Sequence, residues 1–385
     1  MLQIFRALLI TSFLLVIGNQ TLYSQSRLQI PTSEENVTYA LLPILGFTSD
    51  LGFIGGARTQ RFDYGDDPSL QFNNVTQLDL SASTKGSFNL LLDHTRMKSF
   101  GTDIRSRYLV DGLIFENTPY FGIGNNTEFS SSAFEDDLNF FEFRRFLFQH
   151  VGRKHILPLG DDGFLDAMTN IRISTTDPRS NGEETVFAND MPFGAEGGWV
   201  NRLGFGLVAD TRENEFDPRD GILAEALVSF SGDLTASDFT FTKFLLEFRQ
   251  YRQLIGDITI AQRVEFHHVT GSAPFWERPT LGSFQSLRGF VEGRFIGDTS
   301  IQQNLELRTW VFSFFDDEIR VGAQTFWDTG RVYSGLDSDK IFKNWNHTVG
   351  VGGVFSVFTP DFIVRGDIGV SNEIIRVYGG LGYAF

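Results

Sequence analysis

A glycine-rich stretch with two arginines is the part of this sequence whose residue types most clearly offer chemistry. In residues 283–298, Arg288 and Arg294 lie among Gly289, Gly293 and Gly297, and glycine repeated at this spacing weakens strand pairing. The chemistry available to guanidinium groups is ion pairing through charge-assisted hydrogen bonds. We therefore predict a long loop, rich in glycine and arginine, that leads directly into a strand.

Two acidic residues that follow this loop are expected to be neighbours. Polar and apolar residues alternate over 301–312, which puts Glu306 on the charged face of a strand. Asp328 lies on the polar face of the next alternating segment. If the turn between them is near residues 315–316, antiparallel pairing brings position 306 close to 325–328. Both carboxylates should therefore face the interior side by side.

Residue types that commonly catalyse reactions show no catalytic spacing here. The candidates are the six histidines, His94, His150, His155, His267, His268 and His347. None lies in a metal-binding pattern such as H-E-x-x-H. In a membrane β-barrel, cleavage of lipid would need a serine and a histidine on neighbouring strands that face lipid. We expect His267 on the interior face of such a barrel and His268 near a strand end. We predict no catalytic residue, no enzyme activity, no metal site and no cofactor.

The N-terminus predicts export, because Arg6 precedes a short apolar run over residues 7–17 and a polar stretch over 19–26 follows it. We assign 1–25 to a signal peptide and 26–36 to a short lead. The chain has no cysteine, which excludes disulfides and thiolate metal sites. Its net charge of −16 argues against nucleic acid as a partner. Acidic pairs at 66–67, 136–137, 161–162 and 316–317 are expected in solvated loops, with a divalent-cation site as the open alternative.

Alternation with a period of two continues through the rest of the chain and predicts an all-β fold. Sixteen segments show it: 37–46, 51–63, 70–83, 87–97, 102–111, 139–151, 164–175, 199–210, 222–231, 239–254, 257–269, 299–313, 318–328, 347–357, 362–370 and 374–385. The long connections, 112–138, 176–198, 270–298 and 329–346, all fall on one side. We predict a 16-stranded antiparallel transmembrane β-barrel of the outer membrane over 37–385.

Several motifs resemble the BamA/TamA superfamily of outer-membrane barrels, also described as bacterial surface antigens. The segments are Leu42-Pro43-Ile44 with Ser49-Asp50-Leu51-Gly52, Tyr120 to Asn125, Asp210 to Asn214 with Phe216, Pro218 and Gly221, and Leu287-Arg288-Gly289-Phe290 followed by Asn304 to Arg308 and Phe326 to Gly330. They occur in order over most of the chain. The resemblance is therefore specific.

The resemblance implies a lumenal latch. In that family the arginine of the loop tip folds into the barrel and meets acidic residues on the two following strands. In this sequence the tip is Arg288, Gly289 and Phe290, and the acids are Glu306 and Asp328. We therefore expect the loop over about 270–298 to lie in the lumen, locked by a charge-assisted ion pair. The alternative is an arginine in a flexible surface loop.

A second feature implied by the resemblance is a weak seam between the first and last strands. Pro43 removes a backbone donor from the first strand, and Gly379, Gly380 and Gly382 weaken the last one, which ends in Phe385. A poorly paired seam could open sideways into lipid. The alternative is that a final strand ending in phenylalanine serves only as the assembly signal found in many barrels.

Members of this family that insert or secrete proteins carry N-terminal polypeptide-transport-associated domains, and we expect none between the signal and the barrel. We predict a role in outer-membrane protein insertion, assembly or translocation. Expected partners are outer-membrane lipids, periplasmic or lipoprotein subunits and client outer-membrane proteins. The alternatives are a passive or gated channel and a non-catalytic accessory subunit of a larger complex.

Overall fold

Strands of alternating apolar and polar residues make up most of the chain. The computed structural model describes residues 37–65, 72–161, 163–315, 319–335, 343–357 and 363–385. Along one strand, Leu78 and Leu80 are exposed while Gln77 and Asp79 are buried. A barrel wall with apolar residues outside and polar residues inside is typical of membrane barrels. The predicted signal peptide, the lead over 26–36 and the acidic residues at 66–67, 162 and 316–317 lie outside the described residues.

Sixteen of the strands close into one antiparallel barrel, which confirms the predicted fold class. They are β1 (Val37–Thr48), β2 (Gly52–Asp63), β3 (Asn74–Ser83), β4 (Ser87–Ser99), β5 (Ile104–Pro119), β6 (Phe140–Leu159), β7 (Gly163–Ser180), β8 (Gly198–Asp210), β9 (Gly221–Ser231), β10 (Phe241–Ile255), β11 (Ile258–Gly271), β14 (Thr299–Phe314), β15 (Ile319–Tyr333), β16 (Asn346–Val357), β17 (Ile363–Val370) and β18 (Ile375–Leu381). The short strands β12 (Thr280–Leu281) and β13 (Phe295–Ile296) form a separate sheet.

Three strands extend further into the predicted long loops than the sequence indicated. β5 continues to Pro119, β7 to Ser180 and β15 to Tyr333. Asn117 and Pro119, residue types that commonly form turns, do not end β5. A bulge lets the strand pair with β6 as far as Pro119. Local turn residues are therefore overruled where a neighbouring strand offers hydrogen-bond partners.

The last strand is shorter than predicted. β18 ends at Leu381, and Gly382 adopts a φ of 71°, which turns the chain away from the wall. Ala384 and Phe385 are then buried against Tyr251 and Ala261, which lie on β10 and β11. The prediction of a strand running to residue 385 is therefore wrong, because apolar burial inside the barrel replaces strand pairing for these residues.

The long connections meet at one end of the barrel around an aromatic core. Tyr120, Phe141, Phe187 and Phe275 pack together with Ile296. Two short helices, α1 (Ser131–Glu135) and α2 (Val186–Asp190), belong to these connections. Tyr120 meets Phe141, Phe187 and Phe275 edge to face, with ring centroids 5.7–6.2 Å apart. This core holds the base of the loop between β11 and β14, residues 272–298.

Candidate functional site: the lumenal loop and the seam

Arg288 lies at the tip of the 272–298 loop and is completely buried. Its Nε and Nη2 donate to the two carboxylate oxygens of Asp328 at 2.8 and 2.7 Å, and its backbone N–H donates to the same group at 3.1 Å. Its Nη1 donates to Glu306. The guanidinium carbon stands 3.6 Å from the ring centre of Phe326. The structure therefore places Arg288 between one acidic residue of β14 and one of β15.

The register of β14 and β15 explains why the two acids converge. Glu306 is opposite Phe326, and Asn304 is opposite Asp328, so the carboxylates lie two positions apart on the same face. Asn304 donates to Asp328 at 2.9 Å and to the backbone carbonyl of Ser286 at 2.6 Å. The side chain of Asn304 thus ties the acidic site to the loop itself.

The electrostatics of the site favour the ionised guanidinium. Burial disfavours its charge, but Asp328 and Glu306 outweigh this and raise the pKa of Arg288 above its ordinary value. Removing one partner from such a buried pair leaves an uncompensated charge, at a cost of about 3–5 kcal/mol. The bidentate geometry also fixes the orientation of the loop tip.

Further arginines and acids continue this ion-pair network. Arg308 donates to Glu306 at 2.7 Å and to the carbonyl oxygen of Phe385 at 3.0 Å. Arg365 lies 3.4 Å from Asp367, which itself is 3.9 Å from Arg288. The three guanidinium groups at 288, 308 and 365 are balanced by the three carboxylates at 306, 328 and 367. Balanced charge makes a buried network tolerable.

The two residues after Arg288 complete the seating of the tip. The N–H of Gly289 donates to the hydroxyl of Tyr378 at 3.2 Å, and that hydroxyl donates to the carbonyl of Phe290 at 3.1 Å. Gly289 has a φ of 111°, and a Cβ there would meet the backbone of Val370 at 2.9–3.0 Å. Only glycine fits such an approach. Phe290 packs in an apolar cluster with Leu281, Leu287, Phe295 and Val332.

The seam between β1 and β18 is thinly paired. Among the described residues, the ladder of these two strands consists of Thr48 with Tyr378, whereas β1 pairs with β2 from Val37 to Thr48. Pro43 is opposite Ala57 of β2. Just above the seam, Ser49 bonds to Val377, and Arg376 donates to Asp50.

The glycines that were expected to weaken the seam have their partners on β17. Gly379 is opposite Gly366 and Gly380 is opposite Arg365, both on β17. Gly382 donates to the carbonyl of Ile363 at 2.8 Å. Phe385 lies inside the barrel, away from the seam.

Sequence reasoning missed several residues that hold the loop. Tyr378 joins the loop tip to β18, the seam strand. Alternation along β18 could have indicated that its side chain points inward. The sequence indicates no partner for Arg294. In the structure it donates to Glu373 at 2.8 Å and to Thr127 at 2.5 Å. Glu373 and Thr127 belong to other connections, and no local pattern points to that contact.

Within the described ranges, no group of three or more His, Asp or Glu side chains is placed to hold a metal ion. His267 is directed inward, 3.3 Å from Glu265, and His268 bonds to Thr299 at 2.8 Å. No helix in the described part of the chain is long and apolar enough to cross a membrane.

Solved structures with the same fold include outer-membrane barrels. The chain aligns with BamA from Haemophilus ducreyi lacking POTRA domains 1–3 at 14% identity, with a TM-score of 0.61, covering 91% of this chain and 71% of the other. CdiB from Escherichia coli gives 11% identity and 0.60, covering 92% and 64%. CdiB from Acinetobacter baumannii gives 10% and 0.56, covering 91% and 60%. This chain therefore spans less than two thirds of the length of the two CdiB chains.

Comparison at the level of sequence identifies the family. No curated protein sequence matches the chain significantly. The Omp85 superfamily domain matches residues 118–385, which include the 272–298 loop, both acidic strands and β18. Because this match covers more than half of the chain, the protein belongs to the Omp85 superfamily.

Proposed function

We propose that this protein is an integral outer-membrane barrel that takes part in the insertion, assembly or translocation of proteins, without catalytic activity of its own. The observation that carries the proposal is the buried clamp of Arg288 on Glu306 and Asp328. A clamp of this kind holds the tip of the 272–298 loop inside the barrel. We infer that the loop obstructs a continuous water-filled path there. A barrel built as an open pore gains nothing from such an obstruction.

The thin seam supports the same function. A barrel that passes polypeptide into the membrane needs a place where its wall can part, and a short ladder costs the fewest hydrogen bonds to open. β18 meets β1 at Thr48 and Tyr378, and Tyr378 also holds the loop tip. We infer that the latch and the seam act together, with Arg288, Gly289 and Phe290 forming the loop tip that the latch holds.

The partners that follow from this proposal are outer-membrane lipids, client barrel proteins and subunits that supply client binding from the periplasm or as lipoproteins. Nucleic acid is not among them, because the net charge is −16. BamA and CdiB, which share the fold, are the relatives that motivate the choice of a protein client.

Reconstitution tests the proposal. The purified barrel in liposomes should accelerate folding of a client, a urea-unfolded outer-membrane barrel. The heat-dependent shift of the client on a gel measures its folding. Arg288→Ala should reduce this rate by about tenfold or more, because the loop tip loses its buried anchor. Each factor of ten in the rate corresponds to about 1.4 kcal/mol. The control is Arg179→Ala, since Arg179 is half exposed and pairs with Asp177 in the rim of the barrel.

Two other results would contradict the proposal. A wild-type barrel that gives no acceleration over liposomes containing an unrelated barrel, but a steady current in planar bilayers, would indicate a channel. A barrel that is inactive by both measures but co-purifies in gentle detergent with a larger complex would indicate an accessory subunit.

A further inference from the structure

The same loop carries a second buried charge, of opposite sign, against a different part of the barrel wall. Glu277 ends a short 3₁₀ helix (Phe275–Glu277) near the start of the loop and is 2% exposed. Three cationic side chains from three strands surround it: Arg172 of β7 at 3.6 Å, Arg202 of β8 at 3.4 Å and Lys243 of β10 at 3.6 Å. We call these three side chains the cationic cradle.

The distances show that Glu277 fills the cradle loosely. Charge-assisted hydrogen bonds between cations and carboxylates are usually about 2.7–2.9 Å long. All three contacts are at least half an ångström longer than this. The Lys243 ammonium also donates to the backbone carbonyl of residue 277, at 3.0 Å. The Nε atoms of Arg172 and Arg202 find no acceptor among the described atoms. Donors therefore remain available for an additional oxygen atom.

Charge in this region is not balanced, unlike charge at the latch. Arg145 lies next to the cradle and pairs with Asp111 at 2.7 Å. Four cations thus share two carboxylates, at 277 and 111. Burial opposes ionisation of Glu277, but Arg202, Arg172 and Lys243 outweigh it and lower the pKa of Glu277 to about 2. Removal of this carboxylate would leave three partly buried cations uncompensated, a situation that favours capture of an anion.

The cradle is also accessible. Side-chain exposure is 18% for Arg172, 12% for Arg202 and 21% for Lys243, so each keeps some contact with the lumen. The cradle residues lie on strands, which hold them in place when the loop moves, whereas Glu277 belongs to the loop.

We propose that the cationic cradle is an oxyanion-binding site, which Glu277 occupies while the loop is seated and which binds a carboxylate or phosphate group of another molecule when the loop leaves. This inference does not depend on the protein-insertion function, although it concerns movement of the same loop that the Arg288 clamp holds. It assigns to β7, β8 and β10 a ligand chemistry that the latch does not use.

Replacing the internal anion provides the test. In Glu277→Gln, inorganic phosphate should slow thermal unfolding several-fold relative to chloride at equal ionic strength, and acetate should act in the same direction. Wild type should show a much smaller difference, because the carboxylate of Glu277 occupies the site and repels a second anion. The gain should disappear in Glu277→Gln combined with Arg202→Gln.

A matched control is Glu373→Gln, which removes a loop carboxylate that pairs with Arg294 in place of a three-cation cradle. This variant should show no phosphate effect. If Glu277→Gln folds and responds equally to phosphate and chloride, or if its phosphate response survives loss of Arg202, the proposal is wrong. If Glu277→Gln folds in neither buffer, phosphate does not replace the missing carboxylate, and the proposal is equally wrong.

Discussion

Two residues of one loop, with opposite charges, contact different parts of the barrel wall. Each side-chain nitrogen of Arg288 donates to a carboxylate, with two of the bonds 2.7–2.8 Å long, whereas Glu277 stands 3.4–3.6 Å from three cations. The first geometry gives orientation, because bidentate hydrogen bonds are directional. The second gives mainly electrostatic attraction, which tolerates displacement of the loop.

Stability should depend on pH through Glu277. Its pKa is lowered from 4.5 to about 2, so its ionisation stabilises the folded barrel fully above pH 4.5 and no longer does so below about pH 2. The difference in unfolding free energy between wild type and Glu277→Gln should be on the order of 3 kcal/mol at pH 7 and shrink as the pH falls through this window. Unfolding in urea, measured for both proteins at several pH values, tests this. A difference that grows on acidification would contradict it.

At the scale of elements, the loop tip and β17 approach each other through backbone atoms. Gly289 faces Val370, and a Cβ at Gly369 would lie 2.6 Å from the carbonyl carbon of Arg288. Ser371 reinforces the approach by donating to the carbonyl of Gly289 at 2.8 Å. Two glycines, one on each side, therefore set the depth to which the latch enters.

Gly369→Ala should displace the loop tip. The added methyl group overlaps backbone that cannot rotate away, and such overpacking costs about 1–3 kcal/mol. Limited proteolysis should cut within 272–298 faster in the variant than in wild type. The control is Gly353→Ala on β16, where a Cβ meets nothing within 4 Å. Equal cleavage of both variants would show that this contact does not position the loop.

At the scale of the whole molecule, closure of the barrel relies on the loop as well as on strand pairing. β6 and β7 pair from Phe141 with Ser180 to Leu159 with Gly163, while β1 and β18 share the pair of Thr48 with Tyr378. Tyr378 adds two hydrogen bonds to the loop tip from the inner side of β18. The seam is therefore the part of the wall with the least support from its neighbours in the sheet.

Hydrogen exchange should reveal this difference. Backbone amides of β1 and β18 that face the seam should exchange more than about tenfold faster than those of β6 and β7, because unpaired amides need no opening of the ladder. Mass spectrometry of the barrel in detergent measures this. Arg288→Ala should accelerate exchange in β18 further while leaving β6 and β7 unchanged. Uniform protection of all four strands would contradict a weak seam.

Alternation with a period of two carried most of the fold information in the sequence. It predicted sixteen strands and an interior position for polar residues, because alternate side chains of a strand point to opposite faces whatever the rest of the chain does. Strand ends were less predictable. β5 and β7 run past their predicted ends where a neighbour supplies partners, and β18 stops early because residues 384–385 find an apolar site inside.

The site divides in the same way. Local alternation and a single turn were sufficient to bring Glu306 near Asp328, since they lie on consecutive strands. The attachment of Tyr378 to the loop tip, and of Glu277 to the cradle, depended on the tertiary structure. Those contacts join residues far apart in sequence, and they exist because closure of the barrel brings several strands around the loop. No local pattern of residues encodes which part of the wall a loop will reach.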